Sequence, residues 1–346
     1  MSIALSAPPI SGKVKSFWQI AQVIVLVSTV VLIVGFLVQP DLALPLLWTI
    51  LIPVLPASFL IAPSLWRGIC PLATLNMLPN SRMGRRVMPK RAIPWVNALG
   101  IVLLVVLVPA RRFLFNEHGI PLAVVVIAVA VAALLLGTIF DAKAGFCNAI
   151  CPVLPVEKLY GQHPFVELTN PHCALCLLCT PKGCIDLAPS KSAMQALGSA
   201  QRSAAWLKTA FGVFAAALPG FIIGYFTTAD GPLSAAPSVY LNVALWAGGS
   251  YIVVAVFVRL FKVRAAISLS VLAATSVGLY YWFSAPIIAA TLGIVAVGTV
   301  VIQSAALALV GVWLWRAIRR VRRTQNGSHS PIRLDPAPAV NPVHLP

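Results

Sequence analysis

The sequence predicts an all-α integral membrane protein of about eight transmembrane helices, with cytoplasmic N- and C-termini and a cysteine-rich insert on the cytoplasmic side. Three observations predict it. The chain is more apolar than a soluble domain of 346 residues tolerates, with 60% hydrophobic and 10% charged residues and a mean hydropathy of +0.93. Eight stretches approach or exceed the roughly 20 residues a helix needs to cross a hydrocarbon core of about 30 Å. Six of the seven cysteines fall within the 38 residues from Cys147 to Cys184.

In chain order, residues 1–16 read as a cytoplasmic lead, and the apolar run at 17–38 is the first span. It is longer than a signal-peptide core and no small-residue cleavage site follows, so it is expected to remain in place. The other spans fall near 42–63, 93–110, 120–140, 206–228, 238–258, 265–283 and 286–315. Pro45, Pro53 and Pro56 are expected to kink the second span or divide it into half-helices. The last is long enough to tilt strongly, or to end as an interfacial segment with Trp313 and Trp315 among the headgroups. The chain thus divides into a four-helix region at 17–140 with a Cys-Pro loop at 64–92, a cytoplasmic segment at 141–205, a second four-helix region at 206–315 and a basic, Pro-rich tail at 316–346.

The net charge of +17 raises nucleic acid as a partner, but in a membrane protein basic residues first report orientation. Eight spans with the N-terminus inside place 23 of the 25 Lys and Arg on the cytoplasmic side, leaving Arg111 and Arg112 outside. The reading is a multi-pass inner-membrane protein, with the lipid bilayer as partner and no nucleic acid. The run from Arg316 to Arg323 suits anionic lipid. All seven cysteines then face a reducing compartment, which argues against disulfides and for metal ligation or redox work.

The cysteine pattern points to iron–sulfur chemistry. Cys147 and Cys151 are separated by three residues and followed by Pro152; Cys173, Cys176, Cys179 and Cys184 form Cys-x2-Cys-x2-Cys-x4-Cys. Three thiolates at two-residue gaps suit a loop wrapped on one face of a cubane, and a Cys-Pro pair is the usual source of a distant fourth ligand. The element is also repeated. Trp66-Arg67-Gly68-Ile69-Cys70-Pro71-Leu72 aligns on Cys147-Asn148-Ala149-Ile150-Cys151-Pro152-Val153, with Trp66 where an eighth cysteine would stand.

A repeated Cys-Pro element just inside a transmembrane hairpin, followed by a ferredoxin-type run, resembles the membrane-bound polyferredoxin 4Fe-4S proteins of the NapH, NosR and CcoG kind, over roughly residues 17–190. The resemblance implies a ferredoxin-like iron–sulfur insert. It also implies electron transfer through [4Fe-4S] clusters at the membrane, or support of respiratory metalloenzyme assembly. The departures are Trp66, the fourth residue before Cys184 and Ile185 in place of proline.

Three ligand schemes stay open. In one, Cys173, Cys176 and Cys179 hold a cluster with Cys151 or Cys70 as the fourth ligand, and the remaining thiols hold a second, incompletely ligated one. Its open iron would take water, His172, Asp186 or a substrate. In another, Cys173, Cys176, Cys179 and Cys184 hold a single cluster; in the third the metal is zinc. The expected cofactor is one or two 4Fe-4S clusters. The expected role is electron passage between a cytoplasmic donor and quinone or another membrane redox protein, with a maturation or sensing factor and a zinc-bearing scaffold as alternatives. An electron carrier is expected rather than a stand-alone enzyme.

The residues between the two groups read as a short helix ending at Gly161, and His163 as a solvated loop histidine. Trp66, Trp95 and Tyr280-Tyr281-Trp282 read as interfacial aromatics, and Asn97, Asn242 and Gln303 as interhelical hydrogen-bonding residues. No histidine and no mid-span carboxylate falls within the expected spans, which disfavours a transmembrane bis-histidine haem and a proton relay.

Overall fold

The computed structural model describes residues 12–81, 86, 88–89, 91–140, 142–166, 189–202 and 204–326. Among them there is no strand, and eight helices are long and apolar enough to cross a membrane: Ser16–Val38, Pro40–Ile61, Ile93–Phe115, Gly119–Ile139, Ala210–Thr227, Leu233–Phe261, Ala265–Thr291 and Val295–Arg322. The chain is a multi-pass membrane protein. Its outer helices carry unbroken apolar faces, including Val31, Val38, Leu260 and Val297, of the kind a bilayer covers.

Helix α1 spans Gly12–Val38. The second crossing is assembled from α2 (Pro40–Pro45), a π-helical segment at Leu46–Leu51 and α3 (Ile52–Ile61). Its prolines cannot donate to the helix ladder, and a neighbouring side chain enters the gap. The Tyr281 hydroxyl accepts from the Ala57 N–H at 3.1 Å and donates to the Pro53 carbonyl at 2.6 Å, the pair that an unbroken helix joins directly. Tyr281 is therefore buried and structural, not an interfacial aromatic. Two short helices, α4 (Pro63–Ile69) and α5 (Pro71–Met77), occupy the segment expected as loop.

The second hairpin is α6 (Ile93–Ala110), prolonged by a π-helical segment at Arg111–Phe115, and α7 (Gly119–Ile139). After it come α8 (Leu154–Tyr160) and α9 (Pro189–Ala196), then α10 (Ala210–Thr227), α11 (Ala236–Phe261), α12 (Ala265–Thr291) and α13 (Val295–Asn326). Helices α10 and α12 are central: 67% and 50% of their apolar windows are buried, against 11–28% for the other spans.

Small residues let the inner helices approach. A Cβ added at Gly220 would collide with the Trp246 carbonyl, and one at Gly224 with the Val243 backbone, so α10 and α11 meet backbone to backbone. Asn242 then donates to the Gly224 carbonyl at 3.2 Å and to Thr228 Oγ1 at 2.8 Å, and Gln303 donates to the Trp282 carbonyl at 3.0 Å, both across helices as expected.

Some boundaries differ from the sequence reading. The break expected near residue 284 falls at Gly293, which takes φ 72°; Pro286 stays inside α12. Proline is tolerated within membrane helices, whereas the turn goes to a residue that adopts positive φ without strain. The fifth span starts at Ala210 rather than Trp206, because the Thr209 side chain accepts from Gly212 N at 3.0 Å and caps the helix. Helix α13 runs on for 32 residues, and Trp313 is fully buried rather than interfacial.

Candidate metal centre

The two Cys-Pro elements adopt one local shape. Cys70 takes φ −54°, ψ 126° and Cys151 takes φ −54°, ψ 122°, each ending a short helical segment with a proline directly behind it. The extended backbone follows from that proline, whose ring disfavours the helical region for the residue before it. Before Cys151 the chain forms a π-helical segment, Phe146–Ile150, and before Cys70 an α-helix, so the Cys151 N–H reaches back five residues to Phe146 where the Cys70 N–H reaches back four to Trp66.

The copies are crossed. Helix α5, which follows Cys70, lies on α7, which precedes Cys147; helix α8, which follows Cys151, lies on α3, which precedes Cys70. Cys70, Cys147 and Cys151 consequently share one apolar cluster with Ala73, Ala133, Leu136 and Phe146. They sit at one end of the bundle, drawn from two segments far apart in sequence.

Polar contacts repeat the crossing. Asn76 and Glu157 both stand five residues after the proline of their copy, and each reaches into the other copy. Asn76 Oδ1 lies 3.9 Å from Cys147 Sγ while its Nδ2 donates to the Ala133 carbonyl at 2.7 Å. Glu157 accepts from Arg67 Nη1 at 2.5 Å, with both side chains 4% exposed. Arg67 also donates to Asn148 Oδ1 at 2.8 Å, joining the two residues that the repeat makes equivalent. Lys143 Nζ donates to the Arg67 carbonyl at 2.8 Å, placing a cation on the C-terminal end of α4.

Burial pushes all three thiols up, Cys151 to about 12, and Glu157 adds to the rise at Cys70 and Cys151. Arg67 pulls Cys147 and Cys151 the other way, and Lys143 does so for Cys70 and Cys147. Burial thus favours the neutral thiol at all three positions. A metal ion displaces the protons on binding, and the two cations stand where thiolate charge would develop.

Cys173, Cys176, Cys179, Cys184, His172 and Asp186 lie outside the described residues. The segments that lead to them are anchored. Phe165 N and Val166 N donate to the Leu60 and Ile61 carbonyls at 3.3 and 2.8 Å, and after the run α9 packs on α8. Among the described residues no group of three His, Cys, Asp or Glu side chains is arranged to hold a metal ion.

Trp66, the eighth-thiol position, is half-buried and packs edge-on against Phe59 at 6.4 Å at the margin of the main hydrophobic core and not among the cysteines. His163 is not a solvated loop residue: its ring packs 5.9 Å from Trp313 and its Nδ1 is buried without a hydrogen-bond partner. The short helix does end at Gly161, whose N–H bonds to the Glu157 carbonyl at 2.8 Å, but at φ −78° that position makes no special demand for glycine. Asn97 Oδ1 is buried with no partner, unlike Asn242 and Gln303.

The sequence reading missed Arg67, Asn76 and Lys143. The signal for two of them was present: the repeat sets Arg67 opposite Asn148, and read on to five residues past its proline it sets Asn76 opposite Glu157. Comparisons with known protein families, with curated proteins and with solved structures find no match to this chain.

Proposed function

We propose that the protein is a membrane-bound iron–sulfur electron-transfer protein, passing electrons between a donor on the cysteine side and quinone or a redox partner in the membrane. The observation that carries this reading is the convergence of Cys70, Cys147 and Cys151 from two separate segments into one buried cluster, with the flanks of the ferredoxin-type run anchored nearby. Packing alone does not need sulfur at all three positions, nor Arg67 and Lys143 in electrostatic reach of it.

A [4Fe-4S] group held there supplies a one-electron couple. The chain's own residues supply the rest: Cys147 and the Cys-Pro thiols as ligands together with Cys173, Cys176, Cys179 and Cys184, Arg67 and Lys143 as compensating charge, and an apolar shell that limits water. The placement of Trp66 against the main core, away from the three thiols, favours a second reading, in which one cluster is incompletely ligated and labile and the protein serves in maturation or sensing.

Anaerobic purification with iron and sulfide counts and EPR tests both. The expected result is a reducible cluster signal with about four, seven or eight irons per chain, according to the ligand scheme. Iron-replete protein with no reducible signal, or zinc in place of iron, refutes electron transfer. A signal that survives Cys70→Ser and Cys147→Ser while partner assembly fails selects the second reading.

A further inference from the structure

An apolar cavity of about 240 Å³ lies between the two four-helix halves, walled by α3, α6, α8, α10 and α12. It reaches Val153 and Tyr160 near the cysteine end and Arg111 at the other. Packed interiors hold few voids larger than a water molecule, and walls this apolar stay dry. A hydrocarbon chain suits such a space.

Arg111 defines what the chain carries. Its Nη1 donates to the Tyr225 hydroxyl at 2.6 Å and its guanidinium lies 4.8 Å from the Trp48 ring, but both partners are neutral and Nε is buried with no hydrogen-bond partner. Among the described residues no carboxylate pairs with it. Of the acids at this end, Asp230 is taken by Arg112 at 2.7 Å and Asn116 at 2.5 Å, and neither Asp41 nor Glu117 forms an ion pair with Arg111. Ser284, 4% exposed, lines the same cavity with its Oγ also unpartnered. A cation without a counter-charge beside hydrocarbon walls calls for an anion. The third span starts at Ile93, passes Gly100 beside the Cys151 carbonyl and ends at Phe115, so Arg111 stands about one turn inside the end away from the cysteines, within reach of lipid headgroups.

We propose that the cavity is a lipid site: one chain of an anionic phospholipid fills it, and the lipid phosphate accepts from Arg111, in the leaflet opposite the cysteine end. The site does not depend on the iron–sulfur reading. Protein purified in mild detergent and washed of loose lipid is extracted, and its phospholipid is identified by mass spectrometry. An anionic phospholipid is expected at near-stoichiometric level in the wild type and is lost from Arg111→Gln and from Ser284→Phe, which fills the cavity without touching the charge. Delipidated protein should bind short-chain phosphatidylglycerol about tenfold more weakly in Arg111→Gln, the loss expected for one charge-assisted hydrogen bond. Arg111→Lys should retain the lipid.

Equal retention of phosphatidylglycerol and phosphatidylcholine, a neutral isoprenoid quinone as sole occupant, or no retained lipid overturns the proposal. Should Arg111→Gln fail to fold, wild-type lipid retention by Ser284→Phe overturns it equally.

Discussion

Arg67 and Glu157 bury one charge of each sign in a protein with few acids to spare, and breaking such a pair costs about 3–5 kcal/mol because the survivor is left uncompensated. Glu157→Gln and Arg67→Ala are therefore expected to lower the melting temperature in detergent markedly. The double change Arg67→Met with Glu157→Leu should recover much of that loss yet retain less iron, because the compensating cation is gone. Recovery of stability with full iron content would mean that Arg67 serves packing alone. His163 gives a pH signature. Burial first, and Arg320 second, push it down to about 4 from 6.5, so the folded state binds the proton less well than the unfolded chain. Its contribution is fully present above pH 6.5 and is lost as pH falls toward 4. The melting temperature should drop across that window, and His163→Gln should flatten the drop.

At the scale of elements, the hydropathy pattern made the spans legible because membrane crossing is a property of one continuous stretch. The existence of all eight and the proline-broken second crossing could be read from sequence. The crossed packing of α5 on α7 and α8 on α3 could not, since it depends on which non-adjacent helices meet. The seven-residue repeat marked the Cys-Pro turns but not their partners. Trp66 was legible as a missing thiol, while its edge-on contact with Phe59 was a matter of tertiary packing. Gly100 connects the crossing to the site, because a Cβ there would stand 3.0 Å from the Ile150 carbonyl oxygen and 3.1 Å from that of Cys151. Gly100→Ala is expected to press on the Cys151 turn, costing about 1–3 kcal/mol and altering the EPR line shape. Gly248→Ala, with nothing within 4 Å of its Cβ, should leave both unchanged.

For the whole molecule, the two halves are joined by more than the chain. Tyr281 closes a gap in α3, and the turn carrying Arg112 is bonded to Tyr225 and Asp230. The pairing of Arg112, and the stacking of Arg111 on Trp48, give both arginines local partners at the end the positive-inside rule assigns to the outside. The proposed topology predicts that cysteines introduced at the exposed positions Lys262 and Leu233 are alkylated by an impermeant thiol reagent in inside-out vesicles and in spheroplasts respectively. Labelling of either introduced cysteine from the opposite side would refute it.

The crossed repeat also sets an order of events during synthesis. Cys70 leaves the ribosome 77 residues ahead of Cys147, a delay of roughly 4–15 s at about 5–20 residues per second. During that interval α5 has no α7 to lie on and Glu157 has not yet been made to meet Arg67. The first hairpin must therefore wait in the membrane with a bare thiol and a solitary guanidinium, and under the proposed function a cluster would be completed only after the second hairpin has arrived.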